Sequence, residues 1–204
     1  MGKMKNTSQM HYCFSPSSAE KEQRGQRQPG ITMSISSQEF RDALRHFPSG
    51  VTIVTIKTGE RIHGLTVSAF TSVSPEPPLI AIVIDQRHRA YRMLEEEGTC
   101  FAVNILHQDQ ASLAERFAWV KDEDRFAEGT WTTAVTGAPI LADALVWLDC
   151  TIFSRHQAGT HTIYVGEVQA SHVLRSDEPP LIYWNRSYRG LAKKSIKKPA
   201  PRSR

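Results

Sequence analysis

Six consecutive residues, Val51-Thr-Ile-Val-Thr-Ile56, are all β-branched. Branching at Cβ restricts χ1 in a helix and packs well on a pleated sheet, so this run predicts a strand. A second run, Leu79-Ile-Ala-Ile-Val-Ile84, is wholly apolar and short for a helix. It predicts a strand buried on both faces. Neither run approaches the ~18 apolar residues that cross a bilayer as a helix, so no membrane partner is expected. The lysines at the N-terminus are not followed by an apolar stretch, so no secretory signal is expected either.

Further strands are predicted at 61–67 and 100–106, with two long ones at 145–154 and 162–174. Gln157-Ala-Gly-Thr160 between the long pair is a hairpin signal, and Leu181-Ile-Tyr-Trp184 is a short last strand. Helices are predicted in three places. Ser36 with Glu39 suits a capping box, and Phe40, Ala43, Leu44 and Phe47 then form one apolar face. The others lie at about 88–96 and 108–117. Pro75, Pro77 and Pro78 mark an irregular loop, and 118–143 read as loop-rich. Many strands without regular alternation with helices predict a mainly β chain, a β-barrel with a few peripheral helices.

The charge is unevenly spread. The formal net charge is +4, yet residues 1–34 carry five basic and two acidic side chains, and residues 193–204 carry six basic and none acidic. The body, 35–192, is therefore mildly acidic at −5. The two ends read as disordered basic tails flanking one folded domain at 35–192. Short basic tails suit either a polyanion or plain solvation. With an acidic body, nucleic acid is not expected as a partner. The three cysteines, Cys13, Cys100 and Cys150, form no CxxC pair and are odd in number, which suits a reducing, cytoplasmic setting.

Several chemistries have no sequence support. There is no GxGxxG, no GxxxxGK[ST], no HExxH and no GxSxG. His156 and His161 flank one turn, but two ligands do not make a metal site, and none is expected. The densest polar segment is Gly64-Leu-Thr-Val-Ser-Ala-Phe-Thr-Ser-Val-Ser74. Its hydroxyls and strand-end N–H groups suit a phosphate or the edge of a flat ring; they suit equally a loop that satisfies its own backbone.

The order of these segments resembles the flavin reductase-like family, the short reductase components of two-component flavin monooxygenases. The resemblance is carried by Phe47-Pro-Ser-Gly-Val-Thr-Ile-Val-Thr55, the 64–74 segment, Phe101-Ala-Val-Asn104, Gln110-Ala-Ser-Leu-Ala-Glu-Arg-Phe117 and Asp124-Arg-Phe126. Gly159-Thr-His161-Thr-Ile-Tyr-Val-Gly166 and Tyr188-Arg189-Gly-Leu191 complete it. It covers about 36–192. It implies an FMN-binding-type split β-barrel acting as a homodimer, with hydride passing from NADH or NADPH to FMN or FAD. Reduced flavin then diffuses to a partner monooxygenase.

By position, the resemblance implies that Thr66, Val67, Ser68 and Ala69 line the isoalloxazine. Ser72, Val73 and Ser74 then lie towards the ribityl and phosphate. Arg87, Arg89 and Ala90 contribute phosphate or adenine contacts, and Phe126, with Lys121 and Arg125, belongs to a mid-chain loop near the cofactor. Tyr188 and Arg189 approach the flavin. His161 matches a histidine placed near the nicotinamide and is the expected catalytic residue; Thr160 stands where the family carries Asp. Two other readings remain: a flavin-bound reductase of a metal or corrinoid acceptor, and a flavin-binding split barrel without turnover.

Overall fold

The computed structural model describes residues 35–96, 99–120 and 125–191. The expected tails at 1–34 and 193–204 lie outside the described residues. The described residues from Ser37 to Leu191 belong to one compact unit.

Seven strands make one antiparallel sheet: β2 (Thr52–Thr58), β3 (Arg61–Val67), β4 (Phe70–Pro75), β5 (Pro78–Asp85), β6 (Cys100–Ile105), β9 (Val146–Ala158) and β10 (His161–Val173). Their spatial order is β3-β2-β6-β9-β10-β5-β4. The two edge strands, β3 and β4, are consecutive in the chain and are joined by only Ser68 and Ala69. The sheet thus curls until its edges come together at one end, which is a split barrel. A small sheet of β1 (Ser49–Gly50), β11 (Ile182–Trp184) and β12 (Ser187–Arg189) and a hairpin of β7 (Trp131–Thr133) and β8 (Pro139–Leu141) lie outside it.

The β-branched run is buried on both faces because two cores flank it. Val54 and Ile56 point into the barrel with Leu65, Ile82, Phe101 and Tyr164, where α2 (Arg89–Leu94) closes the cluster through Ala90, Met93 and Leu94. Val51 and Ile53 face the other way, onto α3 (Ala111–Trp119), with Leu113, Ala114 and Phe117. Alternate side chains on opposite faces of a strand make this possible. Asn104, fully buried in β6, serves the outer layer: its Nδ2 donates to Ile53 O (3.1 Å) and its Oδ1 accepts from Leu141 N–H (2.8 Å).

Two expectations differ from the structure. The proline-marked loop is a tight hairpin, in which Pro75 pairs with Pro78 and the Glu76–Pro77 bond is cis. β4 was hidden because it is an edge strand whose exposed positions tolerate Thr and Ser. The loop-rich 118–143 stretch contains the β7–β8 hairpin, whose short strands are too brief for a periodic signal. The helices fall close to expectation, but α1 (Ser37–Leu44) buries none of its residues within this chain. Its apolar stripe is open, with Phe40 and Leu44 each 53 % exposed and Phe47, just beyond, 73 % exposed.

Candidate functional site

The site grows from the place where the barrel splits. β3 leaves its partner β2 at Val67, which pairs with Thr52, and after two intervening residues the chain enters β4 at Phe70 against β5. Ser68 and Ala69 therefore belong to no ladder. Ala69 C=O accepts from Val83 N–H (3.1 Å), while the N–H groups of Ser68 and Ala69 make no backbone bond to a described residue. Both residues are exposed. Unpaired N–H groups at an exposed bend are ready donors for a ligand.

Three recesses meet at this crossing. A groove of about 590 Å³ runs between β3, α3 and the β11–β12 hairpin, past Thr66, Ser68, Trp119, Tyr183 and Tyr188. A pocket of about 210 Å³ on the other side is bordered by Val67, Ala69, Val83, Asp85 and His88. A third recess, about 510 Å³ and mostly apolar, lies against Leu44, Phe47, Ala69 and Phe70. Ser68 opens onto the first two and the third alike.

The walls are held from behind. Thr66 Oγ1 donates to Ala114 O (2.6 Å), so its hydroxyl anchors α3 rather than facing the groove. Gly64 lies against the Phe117 ring, where an added Cβ would stand 2.8 Å from Cδ1. Arg125 is buried and donates through Nε to Val120 O (2.7 Å) and through Nη1 to Gly64 O, strapping the free edge of β3. Lys121 lies outside the described residues. The Tyr188 ring meets Tyr183 edge-on at 5.6 Å. Burial, with Glu115 and Tyr183 nearby, pushes the Tyr188 phenol up, so it stays a neutral O–H donor at physiological pH.

The remaining expected residues are distributed as follows. His161 opens β10 directly opposite Asp85 of β5, with its Nδ1 3.0 Å from Thr160 Oγ1. Asp85 accepts from the Arg87 backbone N–H (2.9 Å) and from its guanidinium, Nη2 at 2.6 Å. These bonds, with a smaller contribution from His161, hold the Asp85 carboxyl far below the usual carboxylate range. Arg87 thus spends part of its donor set on Asp85. Arg89 is exposed at the start of α2, and Ala90 is wholly buried beneath it. Val73 forms a bulge on β4 between Ser72 and Ser74. The Ser74 hydroxyl donates to Glu76 O (3.0 Å) and accepts from Glu76 N–H (3.1 Å), satisfying its own turn. Phe126 packs with Phe117 (5.2 Å) and Trp131 (5.0 Å) beneath α3. Arg189 is exposed on β12.

The crossing therefore gathers Thr66, Val67, Ser68, Ala69 and Tyr188, with His161 one strand away through Asp85. Ser72 to Ser74, Arg87, Arg89, Ala90, Phe126, His161 and Arg189 border none of the three recesses. The groove also contains residues that sequence reading passed over, namely Glu115, Trp119, Tyr183 and Arg186. Period-four spacing of Ala111, Glu115 and Trp119 was the available signal for a shared helix face.

The model of the flavin reductase like domain matches residues 44–192, nearly all of the described body. The chain belongs to this family. It is 38 % identical over 160 residues to an NADH-dependent flavin reductase of a Rhodococcus species, covering 77 % of this chain and 88 % of that one. It is 35 % identical over 159 residues to the reductase subunit of a flavin-dependent monooxygenase of Rhodococcus jostii, covering 78 % and 80 %. Its fold superimposes with a TM-score of 0.72 and 31 % identity on a Streptomyces globisporus NADH:FAD oxidoreductase solved with NAD and FAD fragments, covering 78 % and 94 %.

Proposed function

We propose that the Ser68–Ala69 crossing is the bed for the isoalloxazine ring of FMN or FAD. The chain is an NAD(P)H:flavin oxidoreductase, and the reduced flavin it makes serves a separate monooxygenase. The observation that carries the placement is the pair of exposed, unladdered N–H groups at Ser68 and Ala69, between an aromatic groove and the Asp85 pocket. A flat ring with carbonyl and nitrogen acceptors along one edge fits such a strip of donors.

Hydride transfer is chemistry that the nicotinamide and flavin rings themselves supply. The residues of this chain bind and orient. The N–H groups of Ser68 and Ala69 would hold the ring edge, as fixed dipoles that need no rearrangement during reaction. Tyr183 and Tyr188 wall the groove against water, and the Tyr188 phenol offers a donor held protonated. His161, at the hairpin tip beside Asp85, positions the nicotinamide. His161→Ala is expected to raise KM for NADH at least severalfold; unchanged turnover and unchanged KM together would remove that role.

A homodimer accords with the open apolar stripe of Phe40, Leu44 and Phe47, which borders the apolar recess at Ala69 and Phe70. A stripe this apolar is normally covered. Phe47→Glu is expected to convert a dimer, by light scattering, into a monomer. Free buried thiols at Cys100 and Cys150 suit a cytoplasmic setting.

The ring bed is tested by flavin titration. Flavin emission is expected to be quenched on binding to the wild type. Ser68→Trp fills an exposed position, so it should leave the thermal midpoint within a few degrees while weakening riboflavin binding more than tenfold. Wild-type riboflavin affinity in that variant would place the ring elsewhere.

A further inference from the structure

We propose that the α3 face carrying Glu115 and Trp119, together with Arg186 at the β11–β12 turn, is the bed for the adenosine diphosphate half of a dinucleotide. The proposal rests on the flavin reading of Ser68–Ala69 and deepens it by naming what the rest of the 590 Å³ groove recognises.

Three observations converge. The first is Trp119, which ends α3 at the groove and is 85 % exposed, more than any other large apolar side chain described. The other aromatics of α3 and its neighbours, Phe117, Phe126 and Trp131, pack together. Trp119 is left in water beside a ligand groove, where an indole is a stacking surface for a purine.

The second is the pattern along the helix. Ala111, Glu115, Ala118 and Trp119 all border the groove, consistent with a 3.6-residue period. Two of the four are alanines, which leave width for a flat base. Glu115 adds an exposed carboxylate one turn before the indole. A carboxylate accepts from ribose hydroxyls and repels a 2′-phosphate.

The third is Arg186. It follows Asn185 in a two-residue hairpin turn in which both residues are left-handed, at φ 61° and 48°. That conformation matches the twist of the flanking strands and fixes the direction of the turn. The turn is further tied to the residues just after α1, since Asn185 N–H donates to Arg45 O (2.8 Å) and Trp184 Nε1 donates to His46 O (3.1 Å). The Arg186 guanidinium is 3.6 Å from Asp42 and 61 % exposed, so donors remain for a pyrophosphate. Indole, carboxylate and guanidinium in one groove match base, ribose and diphosphate.

FAD and NADH both carry this half, and the experiment separates them. ADP-ribose, 2′-phospho-ADP-ribose and riboflavin are titrated calorimetrically into the full chain. ADP-ribose is expected to bind the wild type, and Trp119→Ala to weaken it about tenfold, while riboflavin affinity changes less than twofold. Glu115→Gln should shrink the preference for ADP-ribose over its 2′-phosphate at least fivefold, and Arg186→Gln should weaken both. A rise in KM for NADH alone in Trp119→Ala assigns the bed to the nicotinamide dinucleotide. A rise in the FAD-to-FMN KM ratio alone assigns it to the flavin.

Phe153→Ala, at another exposed aromatic, is the control. The proposal is overturned if ADP-ribose fails to bind the wild type, or if Phe153→Ala weakens it as much as Trp119→Ala. It is overturned equally if Trp119→Ala splits an oligomer, which would make the indole an interface residue. A wild type that binds ADP-ribose but oxidises no NADH with any flavin would instead sink the reductase reading and leave this bed standing.

Discussion

Replacing Gly64 by Ala tests whether the groove is held open by the packing behind it. The new Cβ would lie 2.8 Å from Phe117 Cδ1, closer still to Cε1, and 3.2 Å from Phe126 Cζ. Carbon pairs at rest sit about 3.5–4.0 Å apart, so the Phe117 ring must retreat by roughly 1 Å. It has little freedom to do so. Phe117 is fully buried, with Phe126 edge-on at 5.2 Å and Trp131 at 5.3 Å. Overpacking of this kind costs about 1–3 kcal/mol, which in a domain of this size lowers the melting midpoint by roughly 2–12 °C. Because Phe117 lies on α3 between Glu115 and Trp119, the retreat also displaces the groove wall.

Gly166→Ala supplies the control for that reasoning. Its Cβ would meet Phe101 Cε1 at 3.0 Å and Cys150 Cβ at 3.2 Å inside the barrel, so stability should fall by a similar amount without moving α3. The assay pairs thermal unfolding by circular dichroism with riboflavin and ADP-ribose titration at 15 °C, where both variants are folded. Both are expected to melt early, and only Gly64→Ala to lose affinity, by severalfold. A wild-type midpoint for Gly64→Ala, or equal loss of affinity in both variants, would refute the link between the aromatic cluster and the groove.

Two predictions concern the core. Asn104→Ala strands Leu141 N–H in a buried layer and removes the side-chain donor to Ile53 C=O, which keeps its place in the β2–β6 ladder, so it should cost about 1–3 kcal/mol in urea unfolding; an unchanged stability would mean that the layer rearranges. Burial, reinforced by Asp149, pushes the Cys150 thiol up to about 12 from 9.0. The unfolded chain loses that proton first, so this contribution is fully present below pH 9 and fades as pH rises towards 12, by about 1.4 kcal/mol per unit. Cys150→Ala should flatten the decline of stability between pH 9 and pH 11, and native Cys150 should resist maleimide at pH 8 until denaturant is added.

The barrel was legible because its β2 and the middle of its β5 are buried on both faces. Val51 to Ile56 and Leu79 to Ile84 carry a β-branched, apolar signal that nothing else in the chain imitates. β4 escaped notice because an edge strand needs no such signal, and its Thr and Ser read as a loop. Ser68 and Ala69 were named from the resemblance, but the reason they matter, an unladdered crossing between two sheet edges, depends on a topology that local sequence does not encode. Thr66 shows the opposite case. Its hydroxyl looked available for a ligand and is turned towards Ala114 of α3. Glu115, Trp119 and Arg186 come from separate segments, and only the folded chain brings α3 alongside the β11–β12 turn.

The central claim, that the Ser68–Ala69 crossing seats a flavin that accepts hydride from a nicotinamide, is most directly tested by steady-state oxidation of NADH and NADPH with FAD, FMN and riboflavin added in turn. Nicotinamide oxidation should be negligible without flavin, should saturate with at least one added flavin, and should fall at least tenfold in Ser68→Trp. No stimulation by any of the three flavins, or undiminished turnover in Ser68→Trp, would contradict it.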